Sequence, residues 1–248
     1  MLGIIGGSGL TQLANLDISR RQVVRTPYGE PSGALTFGTI KGREVVFLAR
    51  HGYGHTIPPH QVNYRANIWA LHAQNTTDVV SIASVGGIRA DLVPGMLAVP
   101  DQIIDYTHGR DSTYFDQTQR GVTHIDFTHP YSSALRERLL RAAAAAEELV
   151  VDGGTYGATQ GPRLETAAEV NRLERDGADM VGMTGMPEAA LARELGLSYA
   201  AIAVVVNFAA GRGTSAGGVR LEDINAVSQA AMARVRKVLD CLLSPDGN

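Results

Sequence analysis

Arg50 and His51 stand side by side at the end of the apolar run Glu44–Ala49, with His55 and His60 close behind in "ARHGYGHTIPPHQVNYR". A guanidinium and an imidazole adjacent at a strand end are suited to clamping an oxyanion. The alternative is a solvated loop whose charges do nothing. Zinc is a poor fit to these histidines, because no cysteine stands in this block and the H-x₃-H spacing falls in a Gly/Pro loop rather than on a helix. Near the start, "GIIGGSGL" places Gly6, Gly7, Ser8 and Gly9 after a strand. Glycines let backbone N–H groups approach an anion and Ser8 adds a hydroxyl, so the segment reads as a phosphate site or as a plain tight turn. It matches neither GxGxxG nor the Walker pattern. Ser84, followed by Gly86-Gly87, repeats that backbone shape after another apolar run. Met183 and Thr184 fall between a strand and a helix beginning near Pro187. There a hydroxyl suits phosphate and a methionine suits the face of a sugar or base, with core filling the alternative for Met183. Finally, "AIAVVVNFAAG" carries six residues of buried-strand type straight into the amide of Asn207.

These residues need a scaffold, and the chain supplies alternating apolar runs and helical patterns, the mark of a sheet covered by helices. The strands expected are Leu2–Ile5, Glu44–Ala49, Asp78–Ala83, Met96–Ile104, Thr155–Thr159, Ala178–Gly182 and Tyr199–Val206. The helices expected are Tyr64–Gln74, Ser132–Leu149, Glu165–Asp176, Pro187–Leu195 and Leu221–Leu243. "AAGRGTSAGG", residues 209–218, is too glycine-rich to be rigid and reads as a lid or a connector. The 248 residues suffice for one domain spanning 1–248, an α/β fold with a central sheet flanked by helices.

Hydrophobic residues make up 44% and charged residues 19%, an ordinary globular balance, and no apolar run is long enough to cross a bilayer. A net charge of −3 with no basic cluster argues against nucleic acid, so a small molecule is the expected partner. The single cysteine, Cys241, cannot form an internal disulfide, and "MLGIIGGSGL" lacks the basic region of a signal peptide. Both point to the cytoplasm.

"GIIGGSGL", "ARHGYGHTIPPHQVNYRANIWAL" and "TQGPRLETAAEVNRLERDGADMVGMTGMPEAALARELGLSYAAIAVVVN" together resemble the trimeric purine nucleoside phosphorylase and methylthioadenosine phosphorylase family. The resemblance runs from Gly3 to the C-terminal helix. It implies a central mixed sheet, a homotrimer with a site at the subunit interface, no metal or organic cofactor, and phosphorolysis of a purine nucleoside with inorganic phosphate as co-substrate. Carried over to this chain, Ser8, Arg50, His51, Ser84 and Thr184 match phosphate-binding positions, and Ala83 stands where some relatives have a hydroxyl. Met183 matches the residue under the ribose, and Leu164 replaces an aromatic near the base. His124 matches the residue that reaches into the neighbouring subunit's site, and His55 lies near the same entrance.

The resemblance also implies an answer for the amide. Relatives that cleave 6-aminopurines carry Asp where this chain has Asn207, and a second Asp where it has Ala209. An amide donates to a 6-oxo group and accepts from N7–H, so Asn207 favours hypoxanthine or guanine over adenine by on the order of a few kcal/mol. Glu165, in "GPRLET", matches the carboxylate that accepts from N1–H of a 6-oxopurine. Leu221 stands where inosine and guanosine enzymes carry a histidine for the 5′-hydroxyl, and it packs better on a thioether methyl by roughly one to three kcal/mol. S-methyl-5′-thioinosine satisfies both ends. The alternatives are inosine or guanosine, methylthioadenosine, and a non-catalytic purine-binding protein that kept the pocket.

Overall fold

A computed structural model describes residues 1–116 and 121–244. Its strands are β1 (Leu2–Gly6), β2 (Asp17–Gln22), β3 (Leu35–Ile40), β4 (Arg43–Ala49), β5 (Asp78–Gly87), β6 (Leu97–Val99), β7 (Gln102–Asp105), β8 (Val150–Asp152), β9 (Thr155–Ala158), β10 (Met180–Gly182) and β11 (Ser198–Phe208). Its helices are α1 (Tyr64–His72), α2 (Ser133–Ala145), α3 (Ala167–Arg175), α4 (Glu188–Glu194) and α5 (Leu221–Leu242). All eleven strands join one mixed sheet, with the order β2-β3-β4-β1-β5-β10-β9-β7 and with β11, β6 and β8 branching from β5.

The consecutive apolar residues of the middle strands are explained by a sheet covered on both sides. Ile5, Val79 and Ala201 pack into one core with Ile68 and Leu71 of α1 and Leu191 of α4. Their neighbours Ile4, Val80 and Ile202 enter a second core with Leu139 of α2 and Val235 and Leu239 of α5. Alternation along each strand thus feeds two helical layers.

Several expected boundaries move for local reasons. The single strand expected over Met96–Ile104 is interrupted at Pro100-Asp101, where β6 pairs β8 and β11 while β7 pairs β9. β2, β3 and β8 were not expected; β2 is exposed along its whole length, so an edge strand reading "DISRRQ" carries no apolar period. Helix α3 starts at Ala167 instead of Glu165, because Thr166 and Glu169 form a reciprocal capping box. Pro187 precedes α4 as its cap rather than opening the helix.

Four neighbouring strands carry the site. β4, β1, β5 and β11 all run parallel, so their carboxyl ends open on the same side of the sheet. A crevice beyond the carboxyl ends of parallel strands is where open α/β sheets hold ligands.

Candidate active site

Each of those strand ends delivers a polar group. Ser8 follows β1 in a turn closed by Leu10 N–H donating to Gly7 O, so "GGSG" is a tight turn that also presents a hydroxyl. Arg50 and His51 follow β4, Ser84 sits near the end of β5, and Asn207 near the end of β11. Between Val205 and Asn207 the pairing with β5 slips by one residue, leaving Val206 as a bulge. Strand β11 therefore runs on to Phe208, and the bulge re-aims the amide that follows it. The Asn207 Nδ2 donates to Phe208 O at 2.6 Å, which leaves its second N–H and its carbonyl free.

These residues line one cavity of about 620 Å³. Its walls include Ser8, Arg50, His51, Ser84 and Thr184. They also include Leu164, Glu165, Asn207 and Ala209, and beside these Met183, His55 and Leu221. Two expected site residues fall outside. Ala83 does not line the cavity; its side chain packs in the core that holds Val79, and the cavity begins one residue nearer the strand end, with Ser84 and Val85. His124 lies exposed on the surface away from this cavity. Thr184 sits four residues ahead of Glu188, in a loop, so its hydroxyl is not at a helix N-terminus as expected; its N–H donates to Tyr156 Oη at 3.3 Å.

The clamp of Arg50 and His51 also differs from expectation. Arg50 is 1% exposed, and its Nε and Nη2 meet Glu188 Oε1 and Oε2 at 2.8 and 2.9 Å. Nη2 also donates to Ser81 Oγ and Nη1 to Ile82 O, so four of its five N–H groups are spent inside the protein. Gly7 allows this approach: a Cβ there would lie 2.9 Å from Arg50 Nη1. Only the remaining Nη1 proton is left for a ligand. Burial opposes the charge on Arg50, but Glu188 beside it outweighs that cost and holds the guanidinium protonated.

His51 is neutral. Burial, with the Arg50 charge alongside, pushes its imidazolium down to about 4. Its Nδ1 lies 2.8 Å from Ile57 O, and a carbonyl only accepts, so Nδ1 carries the proton and Nε2 is an acceptor. His51 thus brings no positive charge to an anion. His55 packs on it with ring centroids 4.8 Å apart, from a left-handed backbone at φ 51°. No group of three or more His, Cys, Asp or Glu side chains able to hold a metal occurs among the described residues.

The facing walls are fixed by partners that sequence reasoning missed. Glu165 Oε1 accepts from Thr159 Oγ at 2.6 Å. Arg110 donates to Met183 O and Met186 O on one loop and to Gln160 O on the other. At Gly161, φ is +63° and a Cβ would strike Met183 Sδ, so glycine is required for the two loops to meet. The buried Glu188 had one visible signal, a carboxylate in the apolar stretch "MPEAALA". Ser84 Oγ is buried without a hydrogen-bond partner beside the cavity, a group that a ligand would satisfy. Apolar Val219, Leu221 and Ile224 close the side where α5 begins, and Leu221 is 65% exposed there. The 209–218 segment before it is folded, with Gly211 N–H donating to Ser215 O, a 3₁₀ turn at Gly213–Ser215 and an Arg212–Glu174 ion pair.

Known proteins match this architecture over nearly its full length. The chain is 53% identical over 241 residues to a probable S-methyl-5′-thioinosine phosphorylase of Pseudomonas syringae pv. tomato, covering 97% of each chain. It is 55% identical over 212 residues to a protein of the same name from Xanthomonas campestris pv. campestris, covering 86% of this chain and 85% of the relative. Methylthioadenosine phosphorylase from Schistosoma mansoni, solved in complex with adenine, superposes with a TM-score of 0.92 at 33% identity, over 98% of this chain and 90% of that one. The family model of the phosphorylase superfamily matches residues 1–244, and the chain belongs to that superfamily.

Proposed function

We propose that residues 1–248 act as one phosphorylase domain that cleaves S-methyl-5′-thioinosine to hypoxanthine and 5-methylthioribose 1-phosphate. The observation that carries this reading is a single cavity joining the Asn207 amide and the Glu165 carboxylate to the apolar Val219, Leu221 and Ile224. The first pair fits a 6-oxopurine, and the apolar group fits a methylthio substituent. The name carried by the Pseudomonas and Xanthomonas relatives supports the same substrate.

In this reading a phosphate held by Ser8, Ser84, Thr184 and the free Nη1 proton of Arg50 forms its bond to C1′ as the C1′–N9 bond breaks. The electron pair of that bond passes to the purine, which takes up a proton from water at N7 as it leaves, balanced by the proton that hydrogen phosphate gives up as its ester forms. The ribose becomes cation-like and is stabilised by the phosphate, while the charge building on the purine is stabilised by the Asn207 amide donating to O6; the Asn207 carbonyl receives N7–H and Glu165 receives N1–H, which orients the 6-oxopurine. His51, being neutral, accepts from a protonated phosphate oxygen or a sugar hydroxyl. Met183 lies under the ribose and Leu164 near the base. Catalysis is positional and electrostatic, with no covalent enzyme intermediate and no cofactor. We infer a cytoplasmic homotrimer in which His124 reaches a neighbouring site; no described helix is long and apolar enough to cross a membrane.

The test is phosphate-dependent release of base from methylthioinosine, inosine and methylthioadenosine at equal concentration. The highest kcat/KM is expected for methylthioinosine. Preference for inosine would remove Leu221 from the account, and preference for methylthioadenosine would remove Asn207 and Glu165.

A further inference from the structure

We propose that Thr159 is a positioning residue for base selectivity, fixing the Glu165 carboxylate so that it can receive N1–H of a 6-oxopurine; this rests on the base recognition proposed above. Glu165 lies outside α3, two residues before its first helical residue, and is itself half-buried between exposed neighbours. A glutamate there has three rotatable bonds and no helical neighbours to hold it, so an unaided carboxylate would sample many positions.

Thr159 removes that freedom. Its Oγ lies 2.6 Å from Glu165 Oε1 and 3.3 Å from Gly182 O. The hydroxyl has one proton, and Gly182 O already accepts from Thr159 N–H at 2.8 Å. The proton therefore goes to the carboxylate, where a charge-assisted bond is the stronger. The donor itself is fixed, because threonine is stiff at χ1 and its backbone is tied by N–H to Gly182 O and by its carbonyl to Arg110 Nη2. Thr159 does not line the cavity, whereas Glu165 does. Oε2 is left without a protein partner among the described residues. One oxygen is anchored and the other remains to receive a base proton.

Adenine has no hydrogen at N1, so the bond matters only for 6-oxo substrates. Thr159→Val keeps the shape and the backbone ties while deleting the donor. It is expected to lower kcat/KM for methylthioinosine about tenfold, chiefly through KM, while leaving methylthioadenosine within twofold; Thr159→Ser is expected to restore methylthioinosine turnover. Equal losses on both substrates would mean that Thr159 only supports the loop, and no loss on methylthioinosine would mean that Glu165 needs no anchor; either overturns the proposal. A wild-type enzyme that favours methylthioadenosine would overturn the base reading itself, and this proposal with it. The wild-type ratio thus tests the parent reading, and the change in ratio tests Thr159.

Discussion

Arg50 and Glu188 form a fully buried, two-point ion pair between the end of β4 and the first residue of α4, neither side chain more than 1% exposed. Tyr199 Oη and Ser81 Oγ donate to the same carboxylate, at 2.7 and 2.8 Å. Every charge in this cluster is therefore matched, which is the condition under which a buried pair persists. The pair ties the helix side of the cavity to the strand side, and through the one free Nη1 proton it also presents a donor to the ligand.

Glu188→Gln should be costly, because it leaves Arg50 charged and buried without its partner. A loss of about 3–5 kcal/mol is expected in urea unfolding at neutral pH. Burial would raise the Glu188 carboxyl, but Arg50 outweighs it and holds the group below its ordinary value. A group held low contributes its stability above the unfolded value, near 4.5, and loses it as pH falls through the folded one. A variant within about 1 kcal/mol of wild type would show that the pair is not the anchor described.

His51 predicts a second pH dependence of separate origin. The unfolded imidazole takes its proton near 6.5, but the folded one resists until about 4. As pH falls through that window the unfolded chain binds a proton that the native state does not, so stability declines, by up to about 3 kcal/mol, and the decline from this group stops below 4. NMR of ring-labelled histidine should show His51 without a transition near 6.5. A midpoint there would restore the cationic clamp that the adjacent Arg-His pair suggested in the sequence.

What could be read in advance was decided by where the physical signal lies. Strand ends next to Arg50, Ser84 and Asn207 were visible because buried parallel strands are long apolar runs, and a polar residue terminating one stands out. Strand β2 was invisible because an exposed edge carries no apolar alternation. The partners of the site were hidden for another reason: Glu188 meets Arg50 across 138 positions and Arg110 meets Met183 across 73, and no local pattern encodes a tertiary pairing. Thr166 shows the intermediate case. Its capping box with Glu169 is written locally in "ETAAE", and the box places Glu165 outside the helix that was expected to begin there.

Asn207→Asp tests the base pocket. The amide donates to Phe208 O, and a carboxylate cannot, so the replacement both removes a donor to a 6-oxo group and turns the side chain from its present anchor. The ratio of kcat/KM for methylthioadenosine over methylthioinosine should rise by about one to two orders of magnitude. An unchanged ratio would separate Asn207 from base choice.

Leu221→His tests the opposite side of the cavity, and its surroundings make it a clean experiment. With Leu221 65% exposed at the start of α5, the change should move stability by no more than about 0.5 kcal/mol. Inosine should gain on methylthioinosine by roughly tenfold in kcat/KM, since a ring nitrogen can pair with the 5′-hydroxyl while the thioether loses an apolar contact. If the ratio stays fixed while the variant is folded and active, Val219 and Ile224 become the residues to change next.

Arg110→Met provides the contrast to selective effects. The guanidinium donates to Met183 O, Met186 O and Gln160 O at 2.9, 2.6 and 2.9 Å, and its Nε reaches Gln160 Oε1 at 3.1 Å. One side chain thus fastens the loop carrying Met183 and Thr184 to the loop that leads into Glu165. Methionine preserves much of the volume but none of the donors, leaving those carbonyls to find water or go unpaired. Because the two loops serve ribose, phosphate and base together, kcat/KM should fall at least tenfold for methylthioinosine, inosine and methylthioadenosine alike, alongside a loss of about 2–4 kcal/mol in unfolding. Parallel steady-state and urea measurements on the purified variant decide it. A fall confined to one substrate would place Arg110 in recognition, whereas full activity with reduced stability would mean the loops keep their alignment without it.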